Sequence, residues 1–195
     1  MITLALNIAI EFGPVAAFIA SYWLWGFFVA IEATMLVTAV SVALAYVRHR
    51  RLALFPTFTA ATVLSFGGLS LVTQNETFFI FLDTISNLVF GLLLAVSLYF
   101  ERPVLKPMFE RVFALTDAGW HTLTWRWMLF LLSVGILNEC VRLLGTPEVW
   151  VLFKTLNVVV TTTFAFWQFR LASRTRIPAE SNRWGLRVVE KSVSH

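Results

Sequence analysis

Stretches of about twenty apolar residues recur along the chain, separated by short polar breaks. Five are clear, at about 27–47, 55–74, 78–100, 126–144 and 149–169. At 1.5 Å per residue, each is long enough as a helix to cross the roughly 30 Å hydrocarbon layer of a bilayer. The first run, Ile2 to about Trp25, is less regular because Asn7, Glu11 and the Gly13-Pro14 pair interrupt it. It is expected either to cross fully or to be a kinked or half-inserted segment. The pattern therefore predicts an all-α polytopic membrane bundle of five to six transmembrane helices.

The loop "RPVLKPMFERVFALTDAGWHTLT" has a different period. Leu105, Met108, Phe109, Val112 and Phe113 recur at helical spacing, with Lys106, Glu110 and Arg111 on the other side. This predicts one cytoplasmic interfacial amphipathic helix. Its exposed face is either a plain connector lying flat on the membrane or a docking surface for a partner or anionic lipid. Pro103 suits a first turn, Gly119 a break, and Thr124 a cap for the next span. Residues 1–170 form the transmembrane domain in this reading. Residues 171–195 form a basic cytoplasmic tail expected to be flexible, apart from a short turn around Trp184 to Val189.

Composition supports the membrane class. Of 195 residues, 58% are hydrophobic and 13% charged, whereas soluble domains average about 45–50% apolar. The net charge of +4 does not require nucleic acid, because the basic residues segregate along the spans. With the loop bearing Arg48, Arg50 and Arg51 placed inside, alternation of the spans puts thirteen of fifteen Lys and Arg on the cytoplasmic side, including the C-terminus. Only Arg142 and Lys154 fall elsewhere. The outer loops, "TQNET" and "LGTPE", leave no room for a soluble catalytic domain. Cys140 is the one cysteine and has no intramolecular partner, and three scattered histidines offer no metal-ligand spacing.

Charges inside the spans cost about 2.5–3.5 kcal/mol each at a helix centre on insertion scales, so their placement carries information. Glu139 lies six residues before Gly145 and Lys154 seven after Pro147, at matching depth on two antiparallel helices. They are candidates to pair. Arg142, three residues after Glu139, shares its helix face and is a second candidate partner. Glu32 and Asp83 each lie about five residues into their spans, so four spans contribute charge to one outer layer, with Glu76 at its edge. Asn138 is placed to hydrogen-bond to a neighbouring helix. Two readings of Glu32, Glu76, Asp83, Glu139, Arg142 and Lys154 follow: a clasp that fixes helix packing, or a site for a polar lipid headgroup or a proton. No catalytic, cofactor-binding or metal-ligating set accompanies them.

Glu11 and Pro14 together imply local strain relief around a freed carbonyl. Gly67-Gly68 predicts close helix approach. Trp23, Trp25, Trp125, Trp127, Trp150 and Trp167 fall near span ends, as an interfacial aromatic belt requires.

The words "EFGPVAAF", "FGGLSL", "NETFF", "GWHTLTWRW", "LNECV" and "WVLFK" occur in this order. Together they resemble the intracellular septation protein A family, also called the inner membrane-spanning protein YciB family, over roughly residues 7 to 170. Relatives carry lysines and a proline where this chain has Ile80, Leu82 and Asp83, and an asparagine where it has Leu152. Glu76, Glu139 and Lys154 fall on family motif positions. The resemblance implies a bacterial inner-membrane protein supporting septation, envelope synthesis and membrane integrity. It implies no enzyme and no cofactor; its partners would be membrane lipids and division and envelope-synthesis proteins. The alternative is a lipid-handling transporter or enzyme that uses the intramembrane charges near the periplasmic leaflet.

Overall fold

A computed structural model describes the backbone of residues 2–49 and 54–188, and the side chains of these apart from 2–12, 48, 49, 54–56 and 58. The Asn7 and Glu11 side chains, those of Arg48, Arg50 and Arg51, and Lys191 lie outside the described residues. Among the described residues seven helices follow in order: α1 (Ile2–Trp25), α2 (Phe27–His49), α3 (Leu54–Thr73), α4 (Thr77–Tyr99), α5 (Leu105–Phe109), α6 (Asp117–Leu144) and α7 (Pro147–Thr175). By length and hydropathy α2, α4, α6 and α7 can each cross a membrane, and residues 59–73 form a shorter apolar helical stretch. The all-α membrane bundle read from the sequence is the architecture found.

The connections explain where the helices stop. The α1 helix runs unbroken through Pro14, so the Gly13-Pro14 pair does not split it. It ends at Gly26, whose φ of 92° is open to a residue lacking Cβ; α2 starts at the next position. Pro147 opens α7 at a position where its missing N–H is not needed. At the ends of α3 and α4 the chain closes in the same way. Asn75 N–H donates to Ser70 C=O (3.1 Å) and Gln74 N–H to Leu71 C=O (3.4 Å). Arg102 N–H likewise donates to Ser97 C=O (2.9 Å), and Glu101 N–H to Leu98 C=O (3.0 Å). These are Schellman pairs, with Gln74 (φ 51°) and Glu101 (φ 53°) in the left-handed position that glycine usually fills.

The chain divides into two compact units, Met1–Thr84 with Asn138–Thr155, and Ile85–Leu137 with Leu156–His195. The first is centred on Phe18, Phe27, Ala30, Ile31, Phe79, Ile80, Trp150 and Val151, all buried. Its rings meet mainly edge to face, as Phe18 does with Phe27 and with Trp150 at 5.7 Å. Gly67 lets α3 approach α2 closely, since a Cβ there would lie 2.7 Å from the Met35 sulfur. Gly68 faces open space, so only one of the two glycines is a packing position.

In the second unit α4 and α6 exchange glycine holes for leucine knobs. A Cβ on Gly91 would meet Leu132 at 2.7 Å, and one on Gly135 would meet Leu88 at 2.8 Å. Such notches let helix backbones approach where no hydrophobic effect drives them together.

Three expectations need correction here. The amphipathic helix exists but is only five residues long, because after Phe109 the chain turns and pairs with the segment following α7. Phe113 bridges Leu186 and Leu115 bridges Arg176, with Ala114 N–H donating to Gly185 C=O and Ile177 N–H to Ala114 C=O. Of the 171–195 tail, residues up to Thr175 continue α7 and those up to Val188 pair with the preceding loop, while 189–195 lie outside the described residues. Its backbone groups find partners in the 110–116 loop, and Arg187 joins Glu180 (2.6 Å) and the Glu110 carbonyl (2.8 Å). Finally, α6 begins at Asp117, not near 126. Thr116 Oγ1 accepts from Gly119 N–H as its cap, while Thr124 lies inside the helix and donates to Trp120 C=O. Gly119 is no break: it gives room to Thr175, 2.5 Å from where a Cβ would stand.

Candidate functional site

Three helix segments of the first unit bring four of the intramembrane charges to one place. Asp83 and Thr84 come from α4, Asn138, Glu139 and Arg142 from α6, and Trp150 and Lys154 from α7. Spacing explains the last two: Trp150 and Lys154 are one turn apart and share a face. Asn138 and Arg142 stand in the same i,i+4 relation on α6.

The carboxylate of Glu139 is held by Arg142, not by Lys154. Arg142 Nη2 donates to Oε1 at 2.6 Å and Nε to Oε2 at 2.9 Å, a forked pair that uses both carboxylate oxygens. Thr84 Oγ1 adds a third hydrogen bond to Oε2 at 3.2 Å. Lys154 turns instead to Asp83, to which its ammonium donates. Three rings surround that ammonium, with the centroids of Trp150, Phe18 and Phe79 at 4.8, 5.6 and 5.9 Å. Ring faces stabilise a cation that has left water, and Asp83 supplies the countercharge. The predicted Glu139–Lys154 pair is thus replaced by two separate pairs. Arg142 reaches Glu139 with a fork from its own helix face, and Lys154 is committed to α4.

A chain of neutral hydrogen bonds links the two pairs. The Trp150 indole N–H donates to Asn138 Oδ1 (2.8 Å), and Asn138 Nδ2 donates to Thr84 Oγ1 (2.8 Å) and to Ile80 C=O (3.3 Å). Thr84 then donates onward to Glu139. Asn138, Thr84 and Trp150 are all buried, and each finds partners for its polar atoms within the network. Leaving such groups unmatched would cost roughly 1–3 kcal/mol apiece. Trp150 belongs to both halves, as ring face for Lys154 and N–H donor for Asn138. It is a fully buried core residue, not the belt residue its position near the span end suggested.

The other candidates lie apart from these pairs. Glu32 is exposed on α2 and makes no ion pair among the described residues. Glu76 precedes α4, where its carbonyl accepts from Phe79 and Ile80 N–H at 3.1 Å. It lines a cavity of about 500 Å³ with Arg142, Asn75, Thr146 and Trp150. Partial burial, and then the carboxylate of Glu148, hold its carboxyl above the usual range. No group of three or more His, Cys, Asp or Glu able to hold a metal occurs among the described residues.

Sequence reasoning found Asn138 and the charged residues but missed Thr84, Phe18, Phe79 and the central place of Trp150. The one signal available was the i,i+4 spacing of Trp150 and Lys154. Chemically, the arrangement is a set of matched donors and acceptors, which can fix α4, α6 and α7 against one another.

Comparison with known proteins points to one family. The family model for intracellular septation protein A matches residues 6–177. Among curated relatives, the inner membrane-spanning protein YciB of Afipia carboxidovorans is 37% identical over 172 residues, covering 88% of this chain and 86% of its own. That of Nitrobacter hamburgensis is 36% identical over 169 residues, covering 86% and 85%. No solved structure matches the chain. The "LNECV" and "WVLFK" words that carried the resemblance are the segments that supply Asn138, Glu139, Trp150 and Lys154, and the chain belongs to the intracellular septation protein A family.

Proposed function

We propose that this protein is a non-enzymatic scaffold of the bacterial inner membrane, supporting envelope biogenesis, septation and membrane integrity. Its relatives are named as inner membrane-spanning proteins and its family for septation. The loops at 48–54 and 101–116 and the C-terminus face the cytoplasm in this reading, as the basic residues of the sequence require. Division and wall-synthesis proteins are its partners.

The observation that carries the proposal is the closure of the charged cluster. Asp83 with Lys154 and Glu139 with Arg142 are each other's partners, joined through Trp150, Asn138 and Thr84. A catalytic or transport centre keeps a titratable group poised for substrate, whereas a clasp uses its charges on itself. In-cell photocrosslinking from residues on the lipid-facing flanks tests the reading. Envelope-assembly proteins are the expected adducts, and a survey that captured none would overturn it. A second reading, lipid handling, draws on the polar cavity beside Glu76 and Arg142. Replacing Glu139 with Gln and Arg142 with Met together separates the two: a clasp refolds and works, while a lipid-handling site refolds and fails.

A further inference from the structure

The second unit holds two adjoining cavities that the clasp does not use. The first, about 540 Å³, lies along the end of α4 and is lined chiefly by Leu93, Val96, Phe100 and Val104. The second, about 700 Å³, is bordered by Glu101, Lys106, Asp117 and His121. Arg102 and Val104 line both, so an apolar trough adjoins a charged bowl. Exposed Tyr99 and Phe100, at the last turn of a membrane-length helix, mark this as headgroup depth.

The charges in the bowl are balanced. Lys106 and Asp117 are already paired at 2.6 Å. That leaves Glu101 and Arg102, adjacent residues of opposite sign at the exposed closing turn of α4. Among the described residues the Arg102 guanidinium makes no hydrogen bond or ion pair, in contrast to Arg142, Arg126 and Arg187. Its backbone is fixed by the Schellman pair, and Glu101 is held at a φ of 53° that an L-residue adopts at a cost.

We propose that this corner binds a zwitterionic aminophospholipid from the surrounding bilayer. One acyl chain lies in the Leu93–Val96–Phe100 trough, the phosphodiester meets the Arg102 fork, and the headgroup ammonium faces Glu101. A bowl carrying one free charge of each sign matches such a headgroup better than an anionic one, whose second group would meet Glu101 without a countercharge.

Native mass spectrometry of the full chain, released from detergent carrying equal dioleoyl phosphatidylethanolamine and dioleoyl phosphatidylglycerol, tests this. Wild type is expected to retain the ethanolamine lipid in preference. Arg102→Gln should lower that retention about tenfold, with Arg102→Lys recovering part of it. Glu101→Gln should erase the preference between the two lipids, and Val96→Trp, which fills the trough, should lower retention of both. Arg183→Gln, on an exposed residue that lines neither cavity, serves as the control and should change nothing. Thermal unfolding of each variant separates lost binding from lost fold. Equal retention of the two lipids by wild type, preference for phosphatidylglycerol, or a folded Arg102→Gln that binds as wild type would each overturn the proposal.

Discussion

The two ends of α4 use one backbone device toward opposite electrostatic ends. Before it, Gln74 closes α3 in the left-handed conformation; after it, Glu101 closes α4 in the same way. The turn at Gln74 leads into the first unit, where Arg142 is gripped by Glu139 and Lys154 by Asp83. The turn at Glu101 presents Arg102 with no partner among the described residues. Arg142 has its countercharge in Glu139 one turn back on the same helix, whereas under the proposal above Arg102 takes its own from the membrane. On the proposed role of Arg102, the difference teaches that charge in a membrane helix bundle serves structure or recognition according to whether its partner is already in the chain.

The sharpest way to break this comparison is to remove one cation from each region. Arg142→Met leaves the half-buried Glu139 without its cation and is expected to cost about 3 kcal/mol, read as unfolding in mixed micelles, while Arg102→Gln stays within about 0.5 kcal/mol. Pairing Arg142→Met with Glu139→Gln should recover most of the loss. Equal penalties at the two arginines would end the distinction.

Next comes Asn138→Leu, which strands the Trp150 N–H. It should destabilise by about 2 kcal/mol and shift the tryptophan fluorescence, since buried donors are expensive to orphan. In the second unit the equivalent weakness is steric. Gly135→Val is expected to cost about 1–3 kcal/mol by pressing on Leu88, measured by the same unfolding. Smaller and opposite in sign, Gln74→Gly and Glu101→Gly should each stabilise by about 1 kcal/mol by relieving the left-handed backbone. A gain at only one would show that the two turns are not energetic equivalents.

The smallest effect concerns pH. Burial and Glu148 raise the Glu76 carboxyl, so the folded protein keeps that proton to higher pH than the unfolded chain does. Its contribution to stability is full below the unfolded value and declines as pH rises through the folded one. Glu76→Gln should flatten that part of the melting-temperature profile between acidic and neutral pH.

Much of the fold was legible because hydrocarbon imposes a length and a composition on any helix that crosses it. The runs at 27–47 and 78–100 match α2 and α4 within two residues, since the turns that end these helices lie close to the ends of the apolar runs. The start of α6 was misplaced by nine residues. Polar Asp117 to Thr124 lie beyond the apolar run, yet Trp120 is buried against Leu115 and Ala172, which are far apart in sequence. The short α5 was misjudged for a similar reason, because hydrogen bonds from residues 176–187 outcompete a longer helix there.

At the site, residue types and depth marked Asp83, Glu139, Arg142 and Lys154, because ions in lipid are costly wherever they occur. What the sequence determined by itself was that these charges had to be compensated, along with the helices that carry them. Which cation meets which carboxylate was decided by the tertiary structure alone. The choice depends on helix rotation to within a fraction of a turn and on ring placements around Lys154, which arise from packing among α1, α4 and α7 and leave no period in the chain.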